Sequence, residues 1–258
     1  MGTLIHKKKF KRYNAPENET LLHNVPLFSE LTRDELCNLE LAIQSSLLSK
    51  RTIIYHEGMR HTGIYCILEG IVKIYMQAAS GKQQIVGFAT KGDIIAYRSL
   101  FVNEPACSTA EVMQDSVMCH ISYSHITRLI KSNKTFAYHF IQLMCKELEG
   151  SNSLLKNIAQ RSVRERTAGF LLFLKDQFGV DERNHIRVSM TRIDLANVLG
   201  MVTATLIRVL SDFNKSNIIN LIGKEIELID IDKLHAISRN LINIDSVKDD
   251  VIFRKKMT

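Results

Sequence analysis

The sequence lacks the features that mark membrane-spanning, disulfide-bonded or catalytic proteins. No apolar run approaches the ~18 residues that a membrane-spanning helix requires. The five cysteines are an odd number, and their spacings match no zinc or cluster pattern, so neither a disulfide framework nor a metal site is expected. There is no phosphate-loop glycine cluster, no HExxH and no order of residues typical of a catalytic triad. The sequence therefore predicts a non-enzymatic cytoplasmic protein with reduced thiols and no membrane partner.

The N-terminal part is basic and short of apolar residues. It begins MGTLIHKKKFKRYN, and no apolar segment follows that would make it a secretory signal. We expect residues 1–24 to form a flexible tail. The 258-residue chain has a net charge of +7, which permits a polyanionic partner without identifying one.

Short β-rich runs dominate residues 52–122. They are TIIYHEG, GIYCILEG, IVKIYMQ, QIVGFAT and SVMCHIS, separated by turns that contain glycine. Strands at this spacing predict a small antiparallel barrel or jelly-roll-like domain. Before them, Thr32 and Glu35 fit a capping box and predict the start of a helix.

A long helical run, TFAYHFIQLMCKELEGSNSLLKNIA, follows the β-rich region. Small and apolar residues recur in it at alternating steps of four and three, which is typical of the seam of a two-helix coiled coil. We predict that this helix forms a homodimer; the alternative is that the stripe packs only on its own domain. The predicted seam consists of Ala137, Ile141, Met144, Leu148, Ser151, Leu155 and Ile158.

The C-terminal region predicts a helix, a tight turn, a second helix and a β-hairpin, which together are typical of a winged helix-turn-helix. Thr191 and Asp194 form a capping pair, and Gly200 follows the first helix in a position suited to positive φ. Thr203 is expected to cap the second helix. The inner face of the first helix is predicted to hold Ile193, Leu195, Ala196 and Leu199.

The second helix of this motif is predicted to enter the major groove of double-stranded DNA. Arg208 can offer two donors to guanine, whereas Thr203 and Thr205 can contact phosphate or a thymine methyl group. The alternative is a helical hairpin used for protein contacts, with Arg208 as a solvated charge. The predicted DNA contacts are Thr191, Arg192, Thr203, Thr205, Arg208 and Lys215.

The order of these parts resembles the Crp/Fnr family of bacterial transcription regulators. The resemblance spans residues 27–237 and rests on HEG, GIYCILEGIVKIY, KGDII, ISYSHITRLI, the long helix, and TRIDLANVLG with TATLIRVLSDF. It implies an α+β homodimer that reads a palindromic site, and RNA polymerase as a further partner for an activator. The implied parts are an antiparallel β-roll sensor at 25–133, a dimerisation helix at 134–160 and a winged helix-turn-helix domain at 161–258.

The resemblance also implies an effector pocket, and there the chain departs from the family. Members that bind cyclic nucleotides hold the ribose with a glutamate and the phosphate with an Arg-Ser pair; those positions are Tyr97, Cys107 and Ser108 here. A buried phosphate without its cation would cost several kcal/mol, so cyclic AMP is not expected and no cofactor is predicted. The implied pocket residues are Tyr97, Arg98, Ser99, Cys107, Ser108, Ser151 and Asn152.

Several alternatives stay open. The signal of the sensor could instead be haem on His120 or His139, oxidation of Cys107, an unknown small molecule, or none. In the recognition helix, Ala204 replaces a glutamate that family members often use to accept from cytosine, and Val202 replaces a small polar residue, which implies an altered DNA site. A protein of another class, with a winged helix repurposed for protein contacts, is the remaining alternative.

Overall fold

The computed structural model describes residues 11–12, 22–23 and 25–239. Most of the predicted tail at 1–24 and the segment after residue 239 lie outside the described residues. The chain divides into two compact units, Met1–Met144 and Cys145–Thr258. Each unit is described by itself below.

The first unit is built on an antiparallel sheet with the strand order β1-β2-β7-β4-β5, in which β3 also pairs with β7 and β6 with β4. The predicted antiparallel β-roll is confirmed. The strands are β1 (Lys11–Arg12), β2 (Gln44–Leu48), β3 (Ile53–Tyr55), β4 (Gly63–Gln77), β5 (Gln83–Thr90), β6 (Ile94–Ile95) and β7 (Thr109–Ser122).

Strand β4 combines two runs, GIYCILEG and IVKIYMQ, that the sequence predicts as separate strands. Gly70, where the runs meet, has a φ of 97°, and the pairing of β4 with β7 shifts register at Glu69 and Ile71. Glycine adopts this conformation without steric cost, and a bulge bends a strand without ending it. The glycine that looks like a turn signal therefore marks a bulge inside one continuous strand.

Four helices accompany the roll: α1 (Arg33–Glu40), α2 (Arg98–Val102), α3 (Tyr123–Ser132) and α4 (Lys134–Gln160). The predicted capping box of α1 is confirmed, because the Thr32 hydroxyl accepts from the Glu35 amide at 3.3 Å and the Glu35 carboxylate accepts from the Thr32 amide at 2.9 Å. The hydrogen bond that the Glu35 carboxylate accepts from the Thr32 amide, followed by one from the Asn133 side chain, lowers the pKa of Glu35.

Two apolar clusters fill the first unit. In one, α1, α3 and the start of α4 pack on the sheet, with the rings of Phe28 and Phe136 5.8 Å apart. The other lies within the roll. Its buried members are Leu48, Tyr55, Ile67, Val72, Ala89, Ile95, Ala106, Ala110, Val112 and Met118.

The second unit confirms the predicted winged helix-turn-helix. Its helices after α4 are α5 (Val163–Phe178), α6 (Arg192–Leu199), α7 (Thr203–Lys215) and α8 (Ile231–Arg239), and its hairpin is β8 (Ile219–Ile222) with β9 (Glu225–Leu228). Helix α5 begins at a capping box of Ser162 and Glu165 and ends at Gly179 with a φ of 75°. Seven of its residues, from Thr167 to Leu174, are buried, because α5 packs against α6, α7 and α8.

Candidate nucleic-acid interface and sensor loop

The turn between α6 and α7 sets the angle between these two helices, whose axes meet at 103°. Gly200 ends α6 in the left-handed region, at φ 62° and ψ 37°, which glycine adopts without the penalty that a Cβ brings. Thr191 caps the other end, since its hydroxyl accepts from the Asp194 amide at 3.0 Å. Both predictions about the ends of α6 are confirmed.

Two other predictions about these helices are wrong. Ile193 does not lie on the inner face but is 62% exposed, because residues two apart on a helix point roughly 200° apart and Leu195 is the buried one. Val198 is buried in its place. Thr203 does not cap α7: it is the first helical residue, and Val202 holds the cap position without a side-chain acceptor.

Helix α7 is strongly two-sided. Arg208 and Lys215 are exposed on its outer side, where Thr203 and Thr205 are half-buried. Ile207, which the sequence prediction left out, is also on this side and is 51% exposed. The opposite side packs into the unit through Leu206, Val209, Leu210 and Phe213.

Arg192, a predicted DNA contact, is half-buried and directed at the wing. Its Nη2 donates to the Gly223 carbonyl, in the turn of the β8–β9 hairpin, at 3.1 Å. Burial lowers the pKa of this guanidinium. The contact joins α6 to the wing, so the side chain fixes the position of the hairpin relative to the helices.

Two arginines of α5, neither of them among the predicted site residues, brace the helix-turn-helix. Arg166 donates through Nη1 to the Leu199 carbonyl at 2.6 Å, which satisfies an otherwise unpaired group in the last turn of α6. The guanidinium of Arg164 lies over the Phe213 ring, 4.8 Å from its centroid. In the sequence QRSVRERTAG the two arginines follow the capping box and stand two positions apart. Residues two apart on a helix point about 200° apart, so this spacing is the signal that Arg164 and Arg166 contact different neighbours.

The predicted seam of the long helix is exposed over most of its length. In α4 the buried residues are Phe136 and Phe140, in its first two turns. Farther along, Ile141 is 57%, Leu148 63% and Leu155 67% exposed. Ala137, Met144, Ser151 and Ile158 complete the stripe, and the Ser151 hydroxyl donates to the Glu147 carbonyl at 2.9 Å within the helix.

In the sensor loop, Arg98 lies at the start of helix α2. From there its Nη1 approaches Cys107 Sγ at 3.9 Å, and both residues are exposed. The structure thus brings together Arg98 and Cys107, two of the implied pocket residues. Helix α2 ends at Asn103 with a φ of 52°, a left-handed conformation that asparagine tolerates better than most residues.

The remaining pocket residues are largely engaged within the protein. Tyr97 belongs to the cluster beneath the helices, with its ring edge-on to Phe140 at 5.7 Å. Ser108 is buried and hydrogen bonds with the Tyr55 phenol, whose pKa is raised well above its ordinary value by burial. Ser99 is buried and hydrogen bonds with the Tyr123 phenol. Ser151 and Asn152 are exposed on α4, in the second unit.

An aromatic group with two histidines extends from Tyr55. The rings of Tyr55 and His61 are 4.5 Å apart, those of Tyr55 and Tyr65 6.2 Å, and those of Tyr65 and His120 5.0 Å. Burial lowers the pKa of both histidines, and the charge of His120 lowers that of His61 further. Within the described residues no three His, Cys, Asp or Glu side chains come together as a metal site.

These two histidines make the stability of the first unit dependent on pH. Their folded pKa values lie below the ordinary ~6.5, so between those values and pH 6.5 the unfolded chain binds more protons. Stability is therefore fully present above about pH 6.5 and is lost as the pH falls through the window below it. We expect the midpoint temperature of thermal unfolding to decrease as the pH is lowered from about 7 to about 5.5. The double variant His61→Gln, His120→Gln should flatten that dependence.

His56→Gln is the matched control, because His56 is exposed in the same unit. It should leave the pH dependence as in the unchanged protein. An equal slope in the double variant would contradict the assignment to His61 and His120. Calorimetric scans at constant ionic strength measure all three proteins.

Among the described residues, no single helix has both the length and the hydropathy to cross a membrane. The pair α6 and α7 passes by length and composition together, but it is bent at the turn described above.

Comparison with known proteins agrees with this architecture. The sequence model of the cyclic nucleotide-binding domain matches residues 47–133, and that of the Crp-like helix-turn-helix domain matches residues 165–237. Together they cover more than half of the chain. Each match falls within one of the predicted functional regions.

Full-length relatives are regulatory proteins. Regulatory protein HlyX of Actinobacillus pleuropneumoniae is 28% identical over 207 residues, which are 79% of this chain and 86% of that protein. The fumarate and nitrate reduction regulatory protein of Yersinia pestis is 28% identical over 214 residues, 81% of this chain and 85% of that protein. These relatives confirm the prediction that the chain is not an enzyme.

A solved structure has the same fold. A transcriptional regulator of the Crp/Fnr family from Eubacterium rectale superposes with a TM-score of 0.71 at 21% identity, over 83% of this chain and 98% of that chain. At this identity the likeness shows the fold alone.

Proposed function

Because the chain belongs to the Crp/Fnr family of transcription regulators, we propose that it acts in the cytoplasm as a homodimer on a palindromic operator. Each subunit presents α7 to one major groove, and the two α4 helices pair along their exposed stripe. If the protein activates transcription, RNA polymerase is a further partner. The sensor responds to a signal other than cyclic AMP.

The exposed stripe of α4 is the observation that carries the dimer. Leu148 and Leu155 are each more than 60% exposed on a helix of 27 residues. Exposure of large apolar side chains to water is unfavourable. A row of them at coiled-coil spacing becomes buried when an identical helix packs against it. A second copy supplies a matching stripe, since the pattern is symmetric under a two-fold axis.

The face of α7 supports DNA as the ligand of the second unit. Arg208 and Lys215 are exposed on the side that faces away from the core, and the angle between α6 and α7 falls in the range of helix-turn-helix motifs. Arg192 holds the wing beside this face through Gly223. The charges and the helix are thus arranged for phosphate contact and for reading of base edges.

The sensor loop supports the exclusion of cyclic AMP. Tyr97 stands where a ribose carboxylate is needed and is packed against Phe140, while Ser108 already bonds to Tyr55. Arg98 lies beside Cys107, but it projects from an exposed helix start, so it cannot offset the charge of a phosphate that is shielded from water.

Binding to duplex DNA over a salt series tests the proposal. We expect log K to fall linearly with log salt, with a slope near −0.9 for each phosphate that is neutralised. No salt dependence and no binding below ~100 μM would contradict a DNA-binding regulator, since non-specific affinities lie in the range of about 1 to 100 μM. Equilibrium dialysis with cyclic AMP tests the sensor, and retention of the nucleotide would refute its exclusion.

A further inference from the structure

The outer face of α7 carries exposed apolar side chains. Val202, at the cap position, is 64% exposed and Ile207 is 51% exposed. Ala204 lies exposed between them. None of these side chains belongs to the buried side of the helix, so the fold of the unit does not account for them.

From Val202 to Arg208 the helix offers few groups that can hydrogen bond to a base. The segment VTATLIR contains no carboxylate and no amide, so it lacks the side chains that usually accept from a cytosine amino group or pair with adenine in a bidentate way. Its other polar groups are the hydroxyls of Thr203 and Thr205. Its strong donor is Arg208, which suits guanine. For the neighbouring base pairs the segment offers the two threonine hydroxyls and apolar contact.

The major groove presents one apolar group, the C5 methyl of thymine. An exposed isoleucine next to a guanine-reading arginine matches that group in chemistry and in place. Consecutive Cα atoms lie about 3.8 Å apart and their side chains diverge by about 100° around the helix, whereas bases are stacked about 3.4 Å apart. The side chain of Ile207 therefore falls within one or two base steps of the guanine that Arg208 contacts.

We infer that Ile207 reads a thymine methyl group beside the guanine bound by Arg208, so that the operator half-site pairs a guanine with a thymine one or two steps away. This inference rests on the proposed DNA binding and adds the base that the helix selects. Val202, at the cap position of α7, is a further exposed apolar side chain. Ala204, being small, leaves room for the methyl group to approach the helix.

Substitution of uracil for thymine tests this inference without altering the protein. Duplexes are first selected from a random-sequence pool by the full-length protein, and each thymine of the preferred half-site is then replaced by deoxyuridine, which pairs identically and lacks only the methyl group. Loss of one buried methyl group should weaken binding roughly four-fold. The same change in both half-sites should weaken it about 15-fold.

Ile207→Ala identifies the side chain. Since Ile207 is half exposed, the variant should unfold at the temperature of the unchanged protein. It should bind the thymine-containing and the uracil-containing duplexes with nearly equal affinity. Ile222→Ala is the matched control, because Ile222 is 48% exposed on the wing; it should keep the four-fold discrimination.

The outcomes are distinguishable. Equal binding of every uracil duplex by the unchanged protein overturns the inference and leaves DNA binding intact. Discrimination that persists in Ile207→Ala overturns the assignment to this residue. Failure to bind even the unmodified duplexes refutes the proposed function, and the inference with it.

Discussion

Leu148→Glu is expected to convert the protein from a dimer into monomers and to abolish tight operator binding. Leu148 is 63% exposed and lies near the middle of α4, on the stripe that we assign to the partner. In a two-fold dimer the substitution occurs twice across the seam. Two carboxylates would then face each other in an apolar contact, where each buried charge costs several kcal/mol and the two repel.

The effect on assembly is expected to be large. A loss of about 4 kcal/mol raises the dimer dissociation constant roughly 1,000-fold. A monomer must also bind each half-site as a separate event, which removes an avidity gain of roughly 100- to 10,000-fold. Analytical ultracentrifugation across a range of protein concentrations measures the first effect, and titration with a palindromic duplex the second.

Lys146→Glu is the control for this experiment. Lys146 lies two residues before Leu148, is exposed and does not belong to the predicted seam. The substitution introduces the same glutamate side chain there. It should leave the dimer intact. If Leu148→Glu also remains dimeric on sedimentation, the seam is misplaced and the coiled-coil hypothesis for α4 is wrong.

Most of the architecture could be predicted because it follows from the spacing of apolar residues and from local capping and turn residues. The capping box at Thr32, the strands of period two and the glycine after α6 are local signals, and each has one physical solution. The bulge at Gly70 could not be predicted, because a glycine between two β-rich runs is equally compatible with a turn. The pairing with β7 decides between these solutions, and pairing is a non-local property.

The candidate site was predictable in outline but not in the roles of its side chains. Arg192 lies in the motif as expected, yet its partner is Gly223 in the wing, 31 residues later in the chain. Arg98 is among the implied pocket residues, and a short helix in the loop brings it to Cys107. In both cases the partner lies outside the helix of the arginine, nine residues away for Cys107 and 31 for Gly223, and no helical or strand periodicity reports such a contact.

Arg208→Ala is expected to weaken specific DNA binding by about 1–3 kcal/mol while the dimer stays intact. Arg208 is exposed on the outer side of α7, and its guanidinium can donate two parallel hydrogen bonds to O6 and N7 of guanine. Alanine removes both donors, whereas the buried side of the helix is unchanged. The variant should also accept other bases at that position, since nothing else in the segment from Val202 to Arg208 hydrogen bonds to guanine in this manner.

Lys215→Ala separates this role from simple charge. Lys215 is exposed in the last turn of the same helix, and we expect it to contact phosphate and not a base. Its loss should weaken binding to all sequences about equally and reduce the salt slope by about 1, whereas Arg208→Ala should lose discrimination between the selected duplex and one with the guanine replaced. Anisotropy titrations of both duplexes at several salt concentrations measure the difference. If Arg208→Ala keeps the full preference for the selected duplex, Arg208 does not read a base, and α7 must achieve its specificity through other side chains or through the shape of the DNA.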